Sequence, residues 1–141
     1  MKNYSEALKL IQNNVSIIGA QELETQSANG VIAEDIFSSS AVPTFSNSAM
    51  DGYCLKSDLT KNATKENPVE LPVKGTIFAG DEPPSDIEGS ETYEIMTGSK
   101  MPDELDTVLP VEKGELIEKE GSTFLILNEP IKKDENVRKS G

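Results

Sequence analysis

Glycine and proline divide the second half of the chain into short apolar runs, which limits the folds that it can form. The sequence has 10 glycines and 8 prolines in 141 residues. Most of them fall between residues 75 and 130, where they separate apolar runs that are too short for typical helices. Val69, Leu71 and Val73 alternate with the period of a strand. This pattern predicts several short strands joined by turns, in a small barrel-like domain or a bent sheet.

The N-terminus follows a different pattern. Leu8, Ile11 and Val15 recur at helical spacing, Ser5 is a candidate N-cap, and Gly19 predicts the end of the helix. We therefore predict an α+β fold, mostly β, with one helix and an arm before the strands. The further strand candidates are residues 30–37, 77–78, 93–95, 108–111 and 124–127.

Charge and composition exclude several classes of function. The net charge of -12 disfavours binding to nucleic acid or to anionic membranes, both of which require clustered lysine and arginine. Histidine is absent and Cys54 is the single cysteine, so neither a histidine-based triad nor a zinc site has the side chains it needs. Any metal would have to be a hard cation on oxygen ligands. The single cysteine and the lack of a signal peptide favour the cytoplasm.

The stretch FSNSAMDGYCL, residues 45–55, is the first candidate site. Asp51-Gly52 between apolar runs is typical of a plain turn such as that of a hairpin. The alternative is a turn that presents the Asp51 carboxylate to a ligand. Cys54 follows directly and is predicted to be a small core residue, since its setting is apolar.

Two further motifs could carry chemistry. In YEIMTGSKMP, a turn at Thr97 and Gly98 follows a strand, so its amides and hydroxyls could cradle an oxyanion; the alternative is an ordinary strand-ending turn. In DENVRKSG, Arg138 could bind phosphate or carboxylate in a bidentate manner, or it could be a solvated surface charge. Glu112, a strand-end carboxylate, is interpreted as facing water.

These motifs, in this order, closely resemble the N-terminal region of MoeA-type molybdopterin molybdenumtransferases, the family that includes the E domain of gephyrin. The resemblance rests on VPTFSNSAMDGY, FAGDEPP, IMTGSKMPDELDTVLPVE and ENVRKSG. It implies an enzyme that takes adenylylated molybdopterin and molybdate, with Mg2+, and releases molybdenum cofactor and AMP. It also implies a homodimer whose active site lies between the second domain of one subunit and the third domain of its partner, and a molybdopterin adenylyltransferase as pathway partner.

The resemblance also implies roles for individual residues. Asp51 and Thr97 match functional residues of the family, and Asp51 is a candidate Mg2+ ligand. Arg138 matches the arginine of the family's NVR motif, and Ser48 and Gly98 lie inside the motifs as candidate substrate contacts.

The implied organisation has three parts. Residues 1–42 form the helix and arm that begin domain I, residues 43–133 form the β-rich domain II, and residues 134–141 begin a return into domain I. We therefore expect a piece of a longer protein, inactive by itself. A non-catalytic dimerisation or scaffold module of the same family, or a small oxyanion-binding domain, is the alternative. Two loops depart from the family pattern: residues 104–106, usually Gly-Ala-Asp, and Asp134, usually glycine.

Overall fold

The structure is a computed structural model that describes residues 2–30 and 32–141. It contains two compact units, Met1–Phe37 and Ser38–Gly141. The division of the sequence at residues 42 and 133 stays a prediction. Within the described residues, no helix combines the length and the apolar character needed to cross a membrane.

The first unit contains helix α1, Tyr4–Asn14. Its N-cap is Asn3 and not Ser5, because Asn3 and Glu6 form a reciprocal capping box. The Asn3 side chain accepts a hydrogen bond from the Glu6 amide at 2.9 Å, and the Glu6 carboxylate accepts one from the Asn3 amide at 3.0 Å. The helix ends at its two asparagines, before Gly19, since asparagine is a weak helix former. The predicted ends at Ser5 and Gly19 are therefore both wrong.

The second unit contains eight strands. They are β1, Asn47–Ser48; β2, Gly52–Leu55; β3, Val69–Ile77; β4, Thr92–Ile95; β5, Thr107–Pro110; β6, Glu115–Lys119; β7, Ser122–Leu127; and β8, Val137–Arg138. Strands β1 and β8 form a two-stranded sheet, and the other six form one sheet in the order β5-β2-β4-β3-β7-β6. Because β5 and β6 lie at opposite ends, the sheet is open and bent. This confirms the mostly β class with one N-terminal helix and, of the two predicted shapes, the bent sheet.

Strand β3 joins the two halves of the large sheet. Its first part, from Val69 to Pro72, pairs with β7 in antiparallel orientation, and its end, at Thr76 and Ile77, pairs with β4 in parallel orientation. The register shifts between Val73 and Thr76. Such an irregularity bends a strand and increases its twist, so one long strand can serve two differently oriented halves.

The bent sheet has two separate clusters of buried side chains. Successive residues of β2 divide between them, because side chains alternate across a strand. Cys54 belongs to a cluster that includes Ile77 and Ile95. Tyr53 and Leu55 belong to the other cluster, which includes Leu125. Strand β2 thus ties both halves of the core together, and the Asp51 loop leads directly into it.

The predicted strands at 69–73, 93–95 and 124–127 are observed, and the one at 108–111 is observed as far as Pro110, because Val111 begins a 3-10 turn. The prediction at 77–78 is right for Ile77, which ends β3, and wrong for Phe78, which is exposed and lies outside the strand. The prediction at 30–37 is wrong for Gly30 and for residues 32–37, which are irregular and exposed, and Val31 lies outside the described residues. Strand β6 was not predicted, because its charged residues are typical of a solvated surface. Most of β6 is indeed exposed, and it forms the edge of the sheet.

Candidate functional site

The Asp51 loop links two sheets and is not a hairpin. Strand β1, before it, pairs with β8, whereas β2, after it, pairs with β4 and β5. Gly52 is required directly after Asp51, because a Cβ atom there would lie 2.0 Å from the carbonyl oxygen of Leu109. The Asp-Gly signal therefore reflects close strand pairing as well as a change in chain direction.

Ser48 shapes this loop from inside. Its side chain is completely buried. Its hydroxyl donates to the carbonyl oxygen of Met50 at 2.5 Å and accepts from the Met50 amide at 3.3 Å. A serine hydroxyl that bonds the backbone two residues further on fixes a local turn. The structure therefore places Ser48 as a support for the loop, and its substrate-binding role stays a prediction.

The Thr97 turn lies beside the Asp51 loop. The Ser99 amide donates to the Met96 carbonyl at 3.0 Å, which closes the turn, and Gly98 has a φ of 85°, where only glycine is unstrained. The Gly98 amide donates to the carbonyl oxygen of Ser48 at 2.9 Å. The amides of Thr97, Gly98 and Ser99 are thus all engaged within the protein. Of the two interpretations of this turn, these contacts agree with the ordinary strand-ending turn and contradict a cradle of free amides.

Asp51 and Thr97 meet at the centre of the candidate site. The Asp51 Oδ1 atom accepts a hydrogen bond from the Thr97 amide at 2.7 Å and a second from the Thr97 hydroxyl at 2.6 Å. These two bonds, the hydroxyl first and the amide second, hold the pKa of the Asp51 carboxyl below its ordinary value. Asp51 itself is exposed, so the bonds orient a solvent-facing carboxylate that is ionised at neutral pH.

This geometry decides which ligands the pair can meet. The Thr97 hydroxyl donates its one proton to Asp51, so only its oxygen lone pairs remain, and these are acceptors. Both hydrogen bonds reach Oδ1, which leaves Oδ2 of Asp51 as a further acceptor among the contacts that the described residues make. Acceptors of this kind suit a cation or a proton donor and not a bare anion.

A metal ion would need additional ligands from elsewhere. Within residues 2–30 and 32–141, no group of three histidine, cysteine, aspartate or glutamate side chains is arranged to hold a metal. Asp51 could therefore contribute one ligand to a metal and not a complete site.

Arg138 lies in β8, the strand that pairs with β1. In the two-stranded sheet, Arg138 is the register partner of Asn47, and Val137 is the partner of Ser48. Asn47 also forms an isolated bridge with Lys100. Residue partners in antiparallel strands present their side chains on the same face. The structure thus joins Asp51 to Thr97 and Ser48 to Gly98 by hydrogen bonds. It places Arg138 on the strand paired with β1, on the face of Asn47, and the contacts of the described residues do not join Arg138 to Asp51 or Thr97.

The remaining candidates have structural positions. Cys54 is completely buried, and this burial raises the pKa of its thiol to about 12, so the prediction of a core residue is confirmed. Glu112 lies in a short, exposed 3-10 turn, as expected for a carboxylate that faces water. Sequence reasoning missed Asn136, whose carbonyl oxygen accepts a hydrogen bond from the Ala49 amide at 2.9 Å. The signal was its residue type, since asparagine tolerates the left-handed backbone that this position adopts.

The comparisons with known proteins place this fold and these motifs in one family. Residues 2–141 match the family model described as the MoeA N-terminal region, domains I and II. The chain belongs to this family.

Relatives named molybdopterin molybdenumtransferase support the assignment. The protein from Haemophilus influenzae is 38% identical over 82% of this chain and 27% of its own length. The protein from Synechococcus elongatus is 30% identical over 99% of this chain and 34% of its own length. The protein from Bacillus subtilis is 32% identical over 78% of this chain and 26% of its own length. The chain thus spans between about a quarter and a third of the length of these relatives.

Two solved structures have the same fold. Both are molybdopterin biosynthesis MoeA proteins from Pyrococcus horikoshii, with TM-scores of 0.70 and 0.73 and sequence identities of 30% and 28%. The first match covers 97% of this chain and 34% of the Pyrococcus protein, and the second covers 98% and 36%.

The two departures from the MoeA pattern are accommodated locally. Asp134 has a φ of 63°, the left-handed region where the family's usual glycine is unstrained and where aspartate is tolerated. Leu105 fills the core with 4% of its surface exposed. Asp106 keeps the family's carboxylate, which accepts hydrogen bonds from the amide and hydroxyl of Ser57 at 2.7 and 3.1 Å. Both departures therefore lie outside the Asp51–Thr97 contact.

Proposed function

We propose that this chain contributes half of the active site of a molybdenum-insertion enzyme of molybdenum cofactor biosynthesis. In the proposed reaction, adenylyl-molybdopterin and molybdate give molybdenum cofactor and AMP. Membership of the MoeA N-terminal family supports the pathway. The observation that carries the proposal is the exposed Asp51 carboxylate, which two hydrogen bonds from Thr97 hold in one orientation. A connecting loop alone does not require an oriented, exposed charge.

The residues of the site have separate tasks in this proposal. Asp51 provides the negative charge and the free oxygen that meet the reacting group. Thr97 orients Asp51, so its role is positioning and not donation to the oxyanion. Arg138, on the neighbouring strand, attracts the anionic substrates, which the net charge of -12 otherwise disfavours.

The residues present fit Mg2+ in one specific way. Mg2+ usually retains several waters and binds through one or two carboxylates together with substrate phosphates. Asp51 Oδ2 and the Thr97 hydroxyl oxygen are hard oxygen donors of that kind. When bound, Mg2+ would neutralise charge on the substrate phosphates. Asp51 would hold the cation, and Thr97 would keep the carboxylate aligned with it.

Further properties belong to the same proposal. The active enzyme is a cytoplasmic homodimer in which a partner subunit completes the cleft, and its substrate comes from a molybdopterin adenylyltransferase. The 141-residue chain alone is inactive because it supplies one wall of the site. The non-catalytic scaffold is less well supported, since a binding module has no need for an ionised carboxylate held by two hydrogen bonds.

Release of AMP from adenylyl-molybdopterin tests the proposal, in a full-length transferase that carries this sequence as its N-terminal region. Asp51→Asn removes the charge and preserves the shape of the side chain. We expect turnover to fall roughly 100-fold or more, the scale of losing one positioned charged group.

Asp58→Asn is the matched control, because Asp58 is an exposed carboxylate that forms an ion pair with Lys61 at 3.0 Å. It should leave turnover unchanged. If Asp51→Asn retains full turnover, the proposed role of Asp51 is wrong.

A further inference from the structure

We infer that Asn136 is a positioning residue for Asp51, although it touches neither Asp51 nor Thr97 in the hydrogen bonds of the site. Asn136 connects three segments that are distant in sequence: its own C-terminal segment, strand β5 and the Asp51 loop. Its significance for catalysis rests on the proposed function, whereas its effect on the geometry of Asp51 does not.

The backbone of Asn136 adopts an unusual conformation. Its φ is 57°, in the left-handed region that asparagine and glycine tolerate better than other residues. This conformation turns its carbonyl oxygen to the Asp51 loop, where it accepts the hydrogen bond from the Ala49 amide at 2.9 Å. One end of the loop is thereby anchored.

The side chain of Asn136 makes a second connection. Its Nδ2 atom donates to the carbonyl oxygen of Val108 at 2.9 Å, and the Val108 amide donates to the carbonyl oxygen of Glu135 at 3.0 Å. Val108 lies in β5, an edge strand of the large sheet. Residues 135 and 136 therefore satisfy both the backbone N–H and the carbonyl group of Val108. The side-chain amide of Asn136 bonds to β5 as a neighbouring strand would.

These connections fix the loop at both ends. Beyond β5, the Val111 amide donates to the carbonyl oxygen of Asp51 at 3.0 Å. The loop is thus held at Ala49 by Asn136 and at Asp51 by the continuation of β5. Because Asn136 also binds Val108 of β5, it sets the distance between the two anchors. A change in that distance would move the Asp51 carboxylate relative to Thr97.

The amide proton of Thr97 reports directly on the hydrogen bond between Thr97 and Asp51. In 1H–15N spectra of this chain at neutral pH, its resonance and its hydrogen exchange depend on the bond to the ionised Asp51. Asp51→Asn gives the reference position for a weakened contact. Asn136→Asp removes the Nδ2 donor and preserves the shape and the backbone preference. We expect it to move the Thr97 resonance towards that reference and to accelerate Thr97 exchange about fivefold, the scale of one hydrogen bond.

Two further variants separate positioning from general stability. Asn136→Gly keeps the left-handed backbone and removes the side chain, so it should change Thr97 in the same direction even if Asn136→Asp fails to fold. Asp134→Asn is the matched control, because Asp134 is also left-handed, at a φ of 63°, but its carboxylate pairs with Lys139 at 2.6 Å. It should leave Thr97 unchanged. In every variant that acts by positioning alone, exchange at Ile95 in the core should keep its wild-type rate while exchange at Thr97 accelerates.

The outcomes are distinct from those of the activity assay. If Thr97 keeps its resonance and exchange rate in a folded Asn136 variant, or if Asp134→Asn moves them equally, the positioning role is wrong and the proposed function is unaffected. If Asp51→Asn retains full turnover but the Asn136 variants move Thr97, the proposed function fails and the positioning role stands.

Discussion

The two units of the chain differ in what holds them in shape. In the first unit every described residue is exposed, and α1 is organised by local signals, chiefly the capping box at Asn3 and Glu6. In the second unit, two clusters of buried side chains lie within a bent sheet. An 11-residue helix that buries none of its residues is marginal in water, whereas a sheet with a core is stable as a unit. The candidate site lies in the second unit, where burial can fix the positions of exposed groups.

The largest expected effect contrasts two leucines. Leu125 is completely buried in β7, so Leu125→Ala should lower the free energy of unfolding by about 2–5 kcal/mol. Leu8 in α1 is 40% exposed, and Leu8→Ala should change the free energy of unfolding by about 0.5 kcal/mol or less. Urea unfolding followed by circular dichroism measures both. Equal effects would contradict the contrast between the units.

A pair of glycines sharpens the comparison at the level of the backbone. Gly52→Ala places a methyl group 2.0 Å from the carbonyl oxygen of Leu109, and should cost about 1–3 kcal/mol of stability through overpacking. A Cβ atom at Gly19, in the first unit, meets no atom within 4 Å, so Gly19→Ala should be close to neutral. Thermal unfolding of the two variants provides the test, and a neutral Gly52→Ala would show that β2 and β5 are less closely paired than the structure indicates.

The smallest expected effect concerns the pKa of the exposed Asp51 carboxyl in the second unit. Thr97→Val removes the hydroxyl that chiefly lowers the pKa of Asp51, so this pKa should rise towards its ordinary value. Because the folded pKa is the lower one, the contact stabilises the fold above the unfolded pKa, and this contribution is lost as the pH falls through the folded pKa. The stability difference between wild type and Thr97→Val should therefore disappear in acid.

NMR titration of the Asp51 carboxyl checks this shift. Thr123→Val is the control, since the Thr123 hydroxyl donates instead to Glu118 at 2.6 Å. An unchanged Asp51 pKa in Thr97→Val would show that Thr97 does not organise the carboxylate.

Sequence patterns predicted those structural features that depend on residues close together in the chain. Alternating apolar residues located β3, because a buried face imposes period two on a strand. The motifs located Asp51 and Thr97, but periodicity alone could not show that they touch across 46 residues. The short strands β1 and β8 carry no period at all, and they exist because each is paired with the other.

Two features of the site were not predicted because they depend on contacts between distant segments. The amides of Thr97 and Gly98, which could have cradled an oxyanion, are occupied because a distant segment supplies their acceptors, Asp51 and Ser48. Asn136 was not identified because its importance comes from Val108 and Ala49, which lie far from it in the sequence. Tertiary contacts of this kind are not encoded in any local window.

The long-range pairing around the Asp51 loop has a consequence for the order of events during synthesis. The Ser140 amide bonds to the Ser46 hydroxyl across 94 residues of chain, next to the pairing of β1 with β8. At about 5–20 residues per second, on the order of 5 to 20 s separate the translation of these two segments. Throughout that interval the nascent loop lacks the anchor that Asn136 provides, so the orientation of the Asp51 carboxylate can be completed only after this later segment has been synthesised.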